Sequence, residues 1–176
     1  EDSYDLYSVR EHFPNGLEHH HAGWVFQRLL SALGYLHVKK VIHGGIEPGN
    51  IMITPKNHNG LLVDFTFAIA DANKPGSKYF GMNDYSAPEI KKGAKPHPAS
   101  DMYSLGLSMV YLFGGKGKKL PKSVDPRLAK FIESFLKDNP KTRKSDAWQA
   151  WHELKDIRKK VFGPHKFIEL VIDGGS

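Results

Sequence analysis

The chain has 176 residues, no cysteine, a formal net charge of +6 and 40% hydrophobic residues. This length and composition fit one globular domain, and they exclude a disordered chain, a disulfide scaffold, a cysteine zinc site and thiol catalysis. No apolar run approaches the roughly 18 residues of a membrane span, so we expect no membrane-spanning segment.

Positive charge is concentrated in the second half of the chain. Residues 1–88 carry 7 Lys/Arg and 9 Asp/Glu, whereas residues 89–176 carry 18 and 10. A basic half can attract nucleic acid or an anionic surface, which makes such binding the weakest of our functional alternatives. The basic runs lack interleaved aromatic residues for base stacking. We therefore interpret them as solvated helix faces and do not expect a nucleic-acid partner.

The first half predicts one long helix followed by short strands. Apolar residues recur mostly at helical spacing over 19–38, which predicts a buried core helix. The three histidines 19–21 at its start point in different directions on a helix, so we expect a solvated first turn. Apolar runs at 51–53 and 61–63 predict a hairpin with Asn59-Gly60 at its tip.

Beyond the hairpin the chain predicts a long loop at 71–86 and then three helices. The first helix has Ser100 or Asp101 as its N-cap and is apolar on all sides, which is typical of a central buried helix. The second helix begins at Pro126, and the third has Ser145 as its N-cap. Together with the hairpin, these elements predict one α+β domain that is mainly α-helical.

Short motifs occur in an informative order along this framework. His43-Gly-Gly-Ile-Glu-Pro-Gly-Asn50 is followed by Asp64-Phe-Thr66, by Ala87-Pro-Glu89 and by Asp101. In this order and spacing they resemble the C-terminal lobe of the eukaryotic-type, Ser/Thr-like protein kinase family, so we expect a kinase-like C-lobe over residues 1–173. The resemblance assigns the end of the hinge and the following helix to 1–16, the long core helix to 17–38, the catalytic loop and metal motif to 41–66, an activation-segment-like loop to 67–89 and a helical subdomain to 99–161.

The departures from the family pattern fall on residues that the family uses for chemistry. Gly45 stands in place of the catalytic aspartate that accepts the proton of the substrate hydroxyl, which glycine cannot do. Glu47 replaces a lysine that neutralises the phosphoryl group, and a carboxylate there would repel the γ-phosphate. Gly44 replaces an arginine, Met82 a threonine and Thr66 the last glycine of the D-F-G motif. The resemblance therefore implies a chain without catalytic residues.

The architectural positions of the same motifs are retained. By resemblance, His43 and Phe65 are internal packing residues joined to Asp101, and Glu89 pairs with Arg143 in a buried ion pair. Losing one partner of such a pair typically costs about 3–5 kcal/mol. The resemblance thus implies that the fold is kept while the catalytic groups are not, which is typical of a pseudokinase.

Asn50 and Asp64 are vestigial candidates for nucleotide and metal binding. Both are residue types that bind magnesium in active kinases. The alternative interpretation is that Asn50 bonds the loop and Asp64 caps a turn. The Gly-rich loop and strand lysine of the N-terminal lobe do not occur in this sequence, so we expect that lobe either to be absent or to have been removed. We expect no metal or cofactor here, and residual ATP and magnesium binding only in a full-length parent.

The functional prediction is an inactive, intracellular and cytoplasmic pseudokinase lobe that binds a protein partner as a scaffold or allosteric regulator. Its partner surface would lie around Met52, Phe65 and the hinge, since uncovered apolar patches mark interaction sites. The alternative is an atypical, low-activity kinase in the full-length protein, with Asp64 and Asn50 binding metal and nucleotide. Residues 174–176 are interpreted as a linker or a cloning remnant, and the sequence indicates no oligomeric state.

Overall fold

A computed structural model describes residues 2–71 and 82–172, so residues 72–81 of the predicted loop, and the segment 174–176, lie outside the described residues. The fold is mainly α-helical with a small sheet, as predicted. No helix within the two described ranges is long and apolar enough to cross a bilayer. The elements are β1 Tyr4–Asp5, α1 Leu6–His12, α2 His19–Val38, a 3-10 turn Pro48–Asn50, β2 Ile51–Thr54, β3 Asn59–Leu62, α3 Pro88–Lys91, α4 Pro98–Leu112, α5 Pro126–Glu133 and α6 Ala147–Phe162.

Helix α2 is the centre of the core and has the predicted bounds of 19–38. The Glu18 carboxylate caps it by accepting hydrogen bonds from the backbone N–H groups of His20 and His21. The prediction of a solvated first turn is wrong, because His21 is buried and its ring lies 5.8 Å from that of His58. His20 likewise packs its ring edge against Phe162, at 5.4 Å between centroids. Tertiary packing of the hairpin and α6 therefore covers these histidines.

The strands form a three-stranded antiparallel sheet in the order β1-β2-β3. Asn59 and Gly60 begin β3, paired with Thr54 and Ile53, so the prediction that they form the hairpin tip is wrong. The tip is residues 55–58, and its last residue, His58, adopts a positive φ of 48°. Gly60 is used instead for packing, since its side-chain position lies 3.5 Å from Leu29 and Val25 on α2.

Helix α4 is buried on nearly all sides, as predicted for a central helix. Its N-cap is His97, whose backbone N–H donates to the Ser100 hydroxyl, so Ser100 and Asp101 are not the cap residues. Pro98 explains the earlier start, because proline is already set for the first helical position. Helix α6 is capped by Asp146, one residue after the predicted Ser145, through the N–H of Gln149.

The segment after α6 crosses the hairpin tip. The Phe167 ring stacks on His58 at 4.3 Å, and His58 in turn lies against Trp24 of α2 at 4.1 Å. Leu170 and Ile172 are both buried within the main core. This C-terminal segment therefore closes the core over the hairpin.

Candidate functional site

The predicted catalytic loop is anchored to α4 by Asp101. Its carboxylate, only 2% exposed, accepts hydrogen bonds from the backbone N–H of His43 and of Gly44, both at 2.9 Å. His37 at the end of α2 approaches the same carboxylate with its Nε2 at 2.9 Å. One buried carboxylate thus joins α2, the loop and α4.

The His43 ring connects the loop to the segment that carries Asp64. The Gly45 N–H donates to His43 Nδ1 at 3.2 Å, so Nε2 carries the hydrogen that is donated to the Val63 carbonyl at 3.1 Å. Burial lowers the pKa of His43, and the nearby Asp101 charge only partly opposes this. The neutral ring packs on Phe65 with 4.6 Å between centroids. His43 therefore links Phe65 to Asp101, but Phe65 is 45% exposed, so the prediction that it is an internal packing residue is wrong.

Gly45 leaves space where the family has a carboxylate. A Cβ built on this buried glycine would lie 3.6 Å from the Phe67 ring and 3.8 Å from both the Asn50 amide nitrogen and the Asp64 carbonyl oxygen. These are ordinary contact distances, so the backbone would accept a side chain there. The resemblance predicts the catalytic aspartate at this position, and the glycine that stands here supplies no carboxylate.

Asn50 and Asp64 are both engaged in local hydrogen bonds. The Asn50 amide donates to the Gly45 carbonyl at 2.8 Å, which braces the loop. Asp64 is exposed, and its Oδ1 accepts from the hydroxyl and, at 3.1 Å, the backbone N–H of Thr66, which lowers the pKa of Asp64. Within residues 2–71 and 82–172, no three His, Cys, Asp or Glu side chains are placed to hold a metal ion.

Glu47 adds negative charge beside this gap. Burial raises the pKa of its carboxyl, and the charges of Asp64 and Asp84 raise it further. The Asp64 and Asp84 carboxylates therefore lie near enough to Glu47 to act on its charge.

Glu89 and Arg143 form a two-pronged ion pair. Arg143 donates through Nη1 and Nη2 to the two Glu89 carboxylate oxygens at 2.7 and 2.9 Å. Burial alone would raise the pKa of Glu89, but the hydrogen bonds and charge of Arg143 lower it on balance. Three backbone carbonyls also accept from Arg143, those of Ala99, Lys137 and Asp138. The pair fastens α3 to the start of α4 and to the segment before α6.

Sequence reasoning missed two members of these clusters. His37 is the third partner of Asp101, and Tyr103 lies under the Arg143 guanidinium at 4.8 Å. No local sequence signal points to the contact between His37 and Asp101, because the two residues are 64 positions apart. Met82, which the resemblance places beside the catalytic aspartate, is largely exposed.

Comparison with known proteins identifies the family. The family model described as "Protein kinase domain" matches residues 4–118, from β1 through the loop and α4. MAP kinase kinase MKK1/SSP32 of Saccharomyces cerevisiae is 35% identical over 130 residues, covering 68% of this chain and 25% of that protein. Serine/threonine-protein kinase D of Synechocystis sp. is 28% identical over 159 residues, covering 74% and 31%.

A third relative, serine/threonine-protein kinase PknA of Nostoc sp., is 29% identical over 150 residues, covering 72% of this chain and 26% of that protein. The chain thus spans about a quarter to a third of the length of the curated relatives it matches. With the kinase motifs in family order and the family model covering most of the chain, the chain belongs to the protein kinase family.

Proposed function

We propose that this chain is a pseudokinase lobe that does not transfer phosphate and acts by binding a protein partner, as a scaffold or allosteric regulator. The observation that carries the proposal is the gap at Gly45, which faces Asn50 and the Asp64 backbone. A general base must lie within hydrogen-bond reach of the proton that it removes. Glycine supplies no such group at this position.

The charges beside the gap support the same proposal. Phosphoryl transfer depends on cations that stabilise the transferring group. The Glu47 carboxyl instead lies near the carboxylates of Asp64 and Asp84, whose charges add to burial in raising the pKa of Glu47. A kinase that lost only its aspartate could retain slow transfer, whereas added negative charge also weakens phosphate binding.

A partner surface is supported by the apolar side chains that follow the loop. Leu61, Phe65 and Phe67 are all at least 40% exposed within a stretch of seven residues. Exposed apolar side chains that are close together mark protein interaction sites more often than scattered ones do. We therefore propose that the partner surface consists of residues 61–67 and the exposed Met82; of the two side chains expected there from the sequence, Phe65 is exposed and Met52 is half-buried.

The activity test uses the complete natural polypeptide, because this chain spans only part of its relatives. We expect no transfer of radiolabelled phosphate to a panel of acceptor peptides above the level of a heat-denatured sample. Gly45→Asp should fit the backbone and still give no transfer, because Glu47, Thr66 and Met82 remain. Transfer by the unaltered protein that disappears in Asp64→Ala would overturn the proposal and establish the low-activity kinase alternative.

The binding test asks whether the surface on 61–67 regulates another enzyme. Proteins captured on the chain would be identified, and the activity of each captured enzyme measured with and without added chain. We expect the chain to change that activity and the Phe67→Ser/Met82→Ser variant to have lost the effect. Tyr35→Ser is the matched control, since Tyr35 is a comparably exposed aromatic on α2. An equal loss with Tyr35→Ser, or no effect of the unaltered chain, would contradict the proposed surface.

A further inference from the structure

A cavity of about 780 Å³ lies between α2, α6 and the segment that follows α6. We call it the α2–α6 groove. It shares no lining residue with the catalytic-loop region, so its role is independent of the proposed pseudokinase function. Its volume is within the range of about 300–1,000 Å³ that is usual for small-molecule sites.

Arg158 forms the most unusual part of this groove. Its side chain lies along α2 at Gly23, where a Cβ would be 3.6 Å from Arg158 Nε. Nη1 donates to the Gln27 side-chain oxygen. The Nε atom is buried and has no hydrogen-bond partner among the described residues. A buried guanidinium N–H of this kind is a donor without an acceptor.

Among the residues that the structure describes, no acid forms an ion pair with Arg158. Burial, followed by the charge of Arg28, lowers the pKa of Arg158, and no carboxylate contributes in the opposite direction. Burial and then Arg158 lower the pKa of His20. The groove is lined by further cations, whereas its one acidic lining residue is Asp156. Positive charge is therefore held in a partly enclosed space, where anions are attracted.

The remaining walls of the groove are aromatic. Trp24, Trp151 and Phe162 line it together with the cations. Aromatic surfaces next to guanidinium and ammonium groups suit a ligand that has both a flat apolar body and a negative charge.

We propose that the α2–α6 groove binds a small organic anion with an aromatic body and a phosphate or carboxylate group. The anionic group pairs with the guanidinium of Arg158, Arg28 and Lys159 add attraction, and the aromatic walls hold the body. The ligand class is identified by this combination, because a plain inorganic anion would leave the aromatic walls uncovered.

The test titrates phenyl phosphate into the 15N-labelled chain and follows amide and indole N–H resonances. We expect saturable shifts at the groove, including the indoles of Trp24 and Trp151, and weaker binding of inorganic phosphate and of phenol. Arg158→Met keeps the aliphatic contact with Gly23 and should weaken binding by at least about tenfold. Lys130→Met is the matched control, because it removes one positive charge from an exposed site on α5 outside the groove.

Three outcomes would overturn the proposal. The first is the absence of saturable shifts at the groove. The second is an equal affinity of the unaltered chain and of Arg158→Met for phenyl phosphate. The third is a loss of affinity in Lys130→Met that equals the loss in Arg158→Met, which would indicate attraction by net charge alone. If Arg158→Met fails to fold, Arg28→Met replaces it, because Arg28 is exposed and lines the same groove. Arg28→Met should weaken the binding of phenyl phosphate severalfold, and an unchanged affinity in this variant would also overturn the proposal.

Discussion

Asp101 and Asp64 lie at motif positions of the same family, but their surroundings differ. Asp101 is buried and accepts hydrogen bonds from residues 57 and 58 positions earlier in the chain. Asp64 is exposed, and its described bonds go to Thr66, two residues ahead. A side chain that joins distant elements by hydrogen bonds is needed for the fold. A side chain whose hydrogen bonds all lie within its own turn can lose its chemical role while the fold is kept.

The largest expected effect is on Asp101. Asp101→Ala removes the acceptor of the His43 and Gly44 N–H groups, and each buried donor left unpaired costs about 1–3 kcal/mol. We expect the free energy of unfolding to fall by about 3 kcal/mol or more, measured by urea denaturation. Asp64→Ala should leave the unfolding midpoint nearly unchanged. Equal losses in the two variants would contradict the comparison, and Asp101→Asn offers a milder change if the alanine variant does not fold.

A smaller effect should appear in the pH dependence of stability, which should differ between the region of His43 and Asp101 and the region of Asp64. The pKa of His43 in the folded chain is lowered from its ordinary value of 6.5, so the unfolded chain binds protons first as pH falls. Stability is therefore complete above pH 6.5 and decreases below it, by at most about 1.4 kcal/mol per pH unit for each such histidine. The pKa of Asp64 is lowered from 3.8, so its contribution is lost only below that pH.

Urea midpoints between pH 7.5 and pH 4.5 measure this separation. His43→Phe should be less stable at pH 7.5, because the Gly45 N–H and the Val63 carbonyl lose their partner, but its stability should depend less on pH. His152→Gln, on an exposed position of α6, should keep the original pH profile. An unchanged slope in His43→Phe would show that the acid sensitivity arises elsewhere.

The smallest expected effect distinguishes the two glycines of the loop. Gly44 has a φ of 75°, so Gly44→Ala should lower the free energy of unfolding by about 1–2 kcal/mol. Gly45 lies outside the positive-φ region and has room for a Cβ, so Gly45→Ala should raise stability by about 0.4–1 kcal/mol. Thermal unfolding would compare both with the unaltered chain. A loss in Gly45→Ala would mean that the gap is not open to a side chain.

Elements with a strong local signal could be predicted from the sequence. Helix α2 has its predicted bounds because apolar periodicity and a preceding turn agree over twenty residues. The hairpin tip could not be predicted, because Asn59-Gly60 is a good turn pair that packing against Leu29 and Val25 moves into β3. Local turn preference is weaker than the burial of a strand against a helix.

For the candidate site, the order of the motifs identified the residues that match the kinase family, but it did not identify all of the residues that contact them. His37 and Asp101 are 64 positions apart, and nothing in their local sequence links them. The backbone carbonyls that accept hydrogen bonds from Arg143 could not be predicted from the sequence either, because every residue has a backbone carbonyl. The α2–α6 groove likewise depends on the position of Arg158 against Gly23, which helical spacing alone does not reveal.

The stacking of Phe167 on His58 has a consequence for how the chain folds during synthesis. The two rings are roughly 110 positions apart in the chain. At a synthesis rate of about 5–20 residues per second, Phe167 is therefore made about 5–20 s after the hairpin tip that it covers. During that interval Trp24 and the tip are exposed to other proteins in the cell. Chaperones that hold nascent chains would therefore meet this face of the domain before its own C-terminal segment does.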